Sequence, residues 1–191
     1  MGTLAGVPAA DHPTLQALAA DYSPARRRTA DAALGLFAVH GVGGTSLQMI
    51  ADDLGITKAA VYHQFPTKDE IVLAVIEVQL APLEEAVAGL DDPVAVLPAL
   101  VDAVVAHRRT LSILQGDPVV FRALAEHPPS RRFWDRLFRT LLGDDLDLRS
   151  RVRVSAVSAL LGTVAYPLVQ DVDDDTLRTE LVEIVASVLA R

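Results

Sequence analysis

Residues Thr45 to Phe65 read Thr-Ser-Leu-Gln-Met-Ile-Ala-Asp-Asp-Leu-Gly-Ile-Thr-Lys-Ala-Ala-Val-Tyr-His-Gln-Phe. Leu47, Ile50, Ala51 and Leu54 recur at the i, i+3, i+4, i+7 spacing of one buried helix face. Gly55 breaks the pattern, Ile56 is expected to pack inward, and Thr57 offers an N-cap for a second helix from Lys58 to Phe65. Small Ala51, turning Gly55 and apolar Val61 would let the two helices cross closely at a steep angle, the pattern of a helix-turn-helix. A turn this tight is expected to hold Gly55 at positive φ, where any β-carbon would be strained.

Ser23-Pro24 opens the preceding helix, with a capping hydroxyl followed by proline at the first helical position. Ala30, Ala33, Leu34, Phe37 and Ala38 mark its buried face, and Gly41 is expected to end it. Arg26, Arg27 and Arg28 sit in its first turn, where the helix dipole disfavours cations. They read either as a solvated end or as phosphate contacts. Beyond the second short helix, Thr67 and Glu70 form a capping box, and Ile71, Val72, Val75, Ile76, Leu80 and Leu83 carry a further helix. Pro82 is expected to kink or divide that helix, and Gly89 to close it.

The remainder reads as more helices: Pro93 to about Arg109, Val119 to Glu126, Ser130 to Leu142, Leu148 to Gln170 and Asp174 to Ala190. No stretch alternates with the period of a strand, so the fold class expected is all-α. Ala, Leu and Val supply most of the 51% hydrophobic content and aromatics only 5%, which suits helices packed through aliphatic side chains. Residues 1–22, with Gly2, Gly6, Pro8 and Pro13, are expected to form a mobile or loosely docked extension.

The absence of cysteine excludes disulfides, thiolate metal sites and a cysteine nucleophile. The five histidines form no i, i+3 or i+4 pair, so no metal site is expected, and no cofactor motif is present. Gly41-Val-Gly-Gly-Thr-Ser lacks the strand and spacing of a nucleotide loop. Asp171 to Asp175 would need glycine at 176 and glutamate at 182 to hold calcium, but those positions are threonine and valine. No serine lies in a nucleophile elbow, so an enzyme has no residues to work with. The uncharged run Val154 to Gln170 is short and polar-interrupted, and no cation precedes Arg26; a membrane span and a secretory signal are therefore not expected, and a cytoplasmic location is.

The net charge of −8 would ordinarily argue against nucleic acid, but its distribution differs from its sum. Residues 24–68 hold five basic against three acidic side chains, whereas residues 69–191 hold twelve against twenty. One small module can meet phosphate while the rest stays clear of it.

Residues 24–77 resemble the N-terminal DNA-binding domain of TetR-family transcriptional regulators. The resemblance runs through the Phe37 helix ending at Gly41, Thr45-Ser46, Ile50-Ala51, Leu54-Gly55-Ile56, Tyr62, Phe65 and Lys68, a little over a quarter of the chain. It implies a helix-turn-helix head (23–68) on a larger helical regulatory and dimerisation domain (69–191), binding a double-stranded DNA operator. Matched to the family motif, Lys58 and Ala59 would approach base edges, and Ser46, Thr57, Tyr62, His63 and Lys68 would be phosphate-contact candidates, joined by Arg27 from the basic first turn of the preceding helix. The resemblance also implies a homodimer through helices 148–170 and 174–190. An unknown small-molecule effector would bind between 93 and 170, shift helix 68–88 and release the operator. Phe121, Trp134, Phe138 and Tyr166 are the candidates for lining its pocket. An activator with the same head, or a helical protein-interaction module with a vestigial head, are the alternatives.

Overall fold

A computed structural model describes residues 13–115, 117–144 and 147–190. Among them every regular element is a helix. The head comprises α1 (Leu15–Asp21), α2 (Pro24–Gly44), α3 (Leu47–Leu54) and α4 (Lys58–Gln64); α5 (Lys68–Ala86) leads out of it. The body adds α6 (Pro93–Ala106), α7 (Arg108–Gln115), α8 (Pro118–Glu126), α9 (Pro128–Leu142), α10 (Leu148–Gly162) and α11 (Asp174–Leu189).

Local chemistry places the helix starts of the head. The side chains of Ser23, Ser46, Thr57 and Thr67 each accept a hydrogen bond from the backbone N–H three residues on, at 3.1–3.3 Å, leaving fewer unsatisfied donors at each N-terminus. Ala30, Ala33, Leu34, Phe37, Ile50, Ala51, Val61 and Phe65 are buried between α2, α3 and α4. Ile56 does not join them. It is 37% exposed, because the chain turns outward past Gly55 and its backbone N–H, not its side chain, is tied back, to the Ala51 carbonyl.

Central α5 joins head to body. Its Ile71, Val72, Val75, Ile76, Leu80 and Leu83 are buried, and the helix passes Pro82 undivided. Proline removes one hydrogen bond there, but burial of Leu80, Ala81 and Leu83 around it outweighs that loss. In the body, α6 (Leu97, Leu100, Val101, Val104), α9 (Phe133, Leu137, Leu141) and α11 (Leu177, Leu181, Val185) share the core.

Two further expectations are corrected. Within the extension, residues 1–12 lie outside the described residues, but α1 is docked on α5 rather than loose. Leu15 and Ala19, one turn apart, are buried, and the Gln16 N–H donates to the Glu84 carboxylate at 2.9 Å. Second, the helix expected over 148–170 stops at Gly162. Two short 3-10 turns, Thr163–Ala165 and Pro167–Val169, replace its end. Pro167 lacks an N–H and pushes Tyr166 out of the α region, to ψ 142°. Arg108 of α7 secures the irregular stretch, donating to the Val172 carbonyl at 3.1 Å and pairing with Asp174 at 3.1 Å.

Candidate nucleic-acid interface

Gly55 ends α3 at φ 65°, ψ 31°, the left-handed conformation that the tight turn requires. From there Thr57 begins α4, with its hydroxyl accepting from the Ala60 N–H at 3.1 Å. Val61 and Phe65 anchor this helix in the core, leaving Thr57, Lys58, Ala59, Tyr62 and His63 exposed. Ser46, at the start of α3, is exposed as well. The Lys58 ammonium lies 5.6 Å from the centre of the Tyr62 ring, one turn along. The outcome is a helix whose N-terminal turn presents a cation, a methyl group and the Thr57 hydroxyl to solvent, with the Tyr62 hydroxyl one turn along.

The back of α4 is fixed to α2. Thr29 donates to the Gln64 side chain at 2.7 Å, and the Arg26 guanidinium stacks on Tyr22 and Phe65, 4.7 and 4.5 Å from their ring centres. The sequence leaves Arg26 undecided between solvent and phosphate; its place between two aromatic rings has no signature in the local pattern. Arg27 donates to the Ala19 carbonyl of α1 at 2.8 Å. Lys68 does not point freely outward either. Its ammonium donates to the carbonyls of Val42 and Thr45, at 2.9 and 3.2 Å, closing the exposed end of α2. These two candidate phosphate ligands thus have partners on other elements of the chain.

Four aromatic residues expected to line one pocket are not brought together. Trp134 and Phe138 stack at 5.7 Å on α9, partly buried, with Phe133 4.8 Å from Trp134. Phe121 is 73% and Tyr166 62% exposed, because α8 turns Phe121 away from buried Val120 and Tyr166 sits on the 3-10 stretch. A cleft of about 250 Å³ opens elsewhere, between α5 (Asp69, Val72, Leu73) and α8 (Val119, Arg122, Ala123), floored by His127.

The bacterial regulatory proteins of the tetR family match residues 30–75, the span from the buried face of α2 through the exposed face of α4 into α5. Over these residues the chain is similar to the TetR family. Two curated relatives, both from Pseudomonas putida, extend this to 66 residues at 41% identity, 35% of this chain. They are the HTH-type transcriptional regulator SrpR and the uncharacterized HTH-type transcriptional regulator TtgW. The matched stretch spans 31% and 49% of their lengths. Likeness over the whole fold comes from NalD, the secondary repressor of the MexAB-OprM multidrug efflux pump in Pseudomonas aeruginosa. Its crystal structure aligns with a TM-score of 0.64 and 26% identity, covering 85% of this chain and 93% of that one. A putative TetR-family regulator from Shewanella sp. PV-4 shares the fold at 15% identity and a TM-score of 0.60, covering 85% and 96% of the two chains.

Proposed function

We propose that this protein is a sequence-specific DNA-binding regulator that represses transcription and is released from its operator by a small molecule. The observation that carries the reading is the exposed turn Thr57-Lys58-Ala59 with Tyr62 and His63 on α4, set at a fixed angle by the left-handed Gly55. Placed in a major groove, Lys58 donates to guanine and the Ala59 methyl meets a thymine methyl. Ser46, Thr57, Tyr62 and His63 flank them as phosphate ligands. Arg27 and Lys68 support the interface by holding α1 and the end of α2 in place. The likeness to a repressor of an efflux pump supports repression over activation.

Two heads must lie roughly 34–36 Å apart to enter successive major grooves on one face of DNA. A homodimer through α10 and α11 supplies that pairing. Leu148, Val152 and Ile184 on these helices and Leu168 beside them are exposed in the single chain, an apolar surface that a second copy would cover. The effector enters the body, and a coupling of roughly 1–3 kcal/mol would change DNA affinity about 5–150-fold. Among the described residues no helix is long and apolar enough to cross a membrane, and we place the protein in the cytoplasm.

Fluorescence anisotropy with a duplex from upstream of its own gene, against a random duplex of equal length, tests the reading. Tighter, salt-dependent binding to the upstream duplex is expected, and Lys58→Ala should lose about 1–3 kcal/mol of discrimination at one base position. Equal affinity for both duplexes would instead favour a helical interaction module.

A further inference from the structure

The turn between α2 and α3 hangs on the body of the protein. At Gly41 the backbone takes φ 68°, ψ 165°, which breaks α2 and frees the Val42 N–H from the helical ladder. That N–H donates to Asp117 Oδ2 at 2.7 Å, 75 residues away on the opposite domain. The other oxygen of Asp117 accepts from the Val119 N–H at 2.8 Å and caps α8. One carboxylate thus ties the first turn of α8 to the end of α2.

The same turn is held from its other side. Lys68 takes the Val42 and Thr45 carbonyls, and the Thr45 hydroxyl donates back to the Gly41 carbonyl at 2.9 Å. Val42 and Thr45 are buried, 1% and 2% exposed, so the turn has little freedom of its own. Ser46, the next residue, caps α3 and belongs to the DNA face. Meanwhile α8 contacts α5, and the 250 Å³ cleft opens between them.

We infer that Asp117 is a positioning residue for DNA binding: it transmits the position of α8 to the α2–α3 turn, so that a displacement of α8 moves Ser46 and α3. This route runs beside α5 rather than through it. A carboxylate accepting two N–H groups is strong enough to carry such a displacement, and short enough to be broken by one. The inference rests on the DNA-binding reading above for its output, but the link itself is measurable without DNA.

Asp117→Ser separates the two roles of this side chain. Serine still caps α8 but is too short to reach Val42. In the full chain, amide hydrogen exchange of Val42 should quicken roughly tenfold in the serine variant, the factor expected for one lost hydrogen bond. Exchange within α8 should stay unchanged, and affinity for the upstream duplex should fall about fivefold. The inference is overturned if Val42 exchange stays unchanged, if α8 quickens along with it, or if affinity holds while Val42 exchange rises. Failure of the unaltered chain to prefer its upstream duplex would sink the regulator reading, leaving the exchange result to judge the link alone.

Discussion

The imidazole Nε2 of His127, at the start of α9, lies 3.0 Å from Oε1 of Glu77 in the middle of α5, with both side chains almost wholly buried. On the other carboxylate oxygen Glu77 accepts the Tyr22 hydroxyl, and on its far side His127 Nδ1 is 2.9 Å from the Ser130 hydroxyl. Tyr22 meets Phe65 edge-on at 6.3 Å, immediately after α4. One buried carboxylate therefore connects the body, the central helix and the back of the head.

Breaking this group from the middle is expected to destabilise the whole chain. Glu77→Ala leaves the half-buried Tyr22 hydroxyl and the buried His127 ring without their acceptor, a loss of about 1–3 kcal/mol for each unsatisfied group. Glu77→Gln, which still offers one carbonyl oxygen, should lose less. Urea unfolding of the two variants checks the order; equal losses would mean that volume, not polarity, matters at this position.

Alkaline pH should act through Tyr22. Burial, and next its hydrogen bond to Glu77, hold the phenol protonated well above its ordinary value near 10. An acid with a raised folded value binds its proton more tightly folded than unfolded. Its contribution is complete below pH 10 and declines as pH climbs beyond that, where the unfolded chain ionises first. Tyr22→Phe is expected to lower Tm at pH 8, where a hydrogen bond to a carboxylate is lost, and to show a shallower decline between pH 9 and 11 than the unaltered chain. Parallel declines would count against this role.

Lys68→Ala should loosen the head rather than weaken its grip on phosphate. With the ammonium committed to the Val42 and Thr45 carbonyls, its removal uncovers the end of α2 and destabilises by about 1–3 kcal/mol. The slope of log affinity against log salt should stay as it was, because no phosphate contact is lost. A slope shallower by about one unit would return Lys68 to the DNA face.

Self-association should follow the exposed apolar residues at the end of the body. Val152→Asp or Ile184→Glu places a charge where a second copy is proposed to sit, and both positions are exposed in the single chain. Monomers that keep their helical circular dichroism are expected by sedimentation, together with loss of high-affinity DNA binding. A dimer persisting in both variants would rule out this surface.

Much of the head was legible because its determinants are local. Four hydroxyl caps, the i, i+3, i+4, i+7 stripe of α3 and the glycine of the turn act within a few residues, and each takes the geometry its spacing dictates. What escaped is long-range. Nothing around Lys68 says that its ammonium will meet carbonyls 23 and 26 residues back, nor that Arg27 will cap α1. Docking of α1 depends on Glu84, 68 residues from the N–H it receives. As aromatic side chains Phe121 and Tyr166 are pocket candidates in the sequence, but hydrophobicity alone does not say which face of a body helix looks inward.

Docking of α1 also bears on how this head can be prepared in isolation. A fragment cut to the family match at 30–75 would begin inside α2, discarding the Ser23 cap, Tyr22 and the Leu15 and Ala19 side chains that cover α5. It would also end before Glu77 and Glu84, the two carboxylates that hold α1 and Tyr22. A fragment that keeps these contacts of the head therefore has to start near Pro13 and retain α5 to its end, well beyond the boundaries that sequence similarity draws.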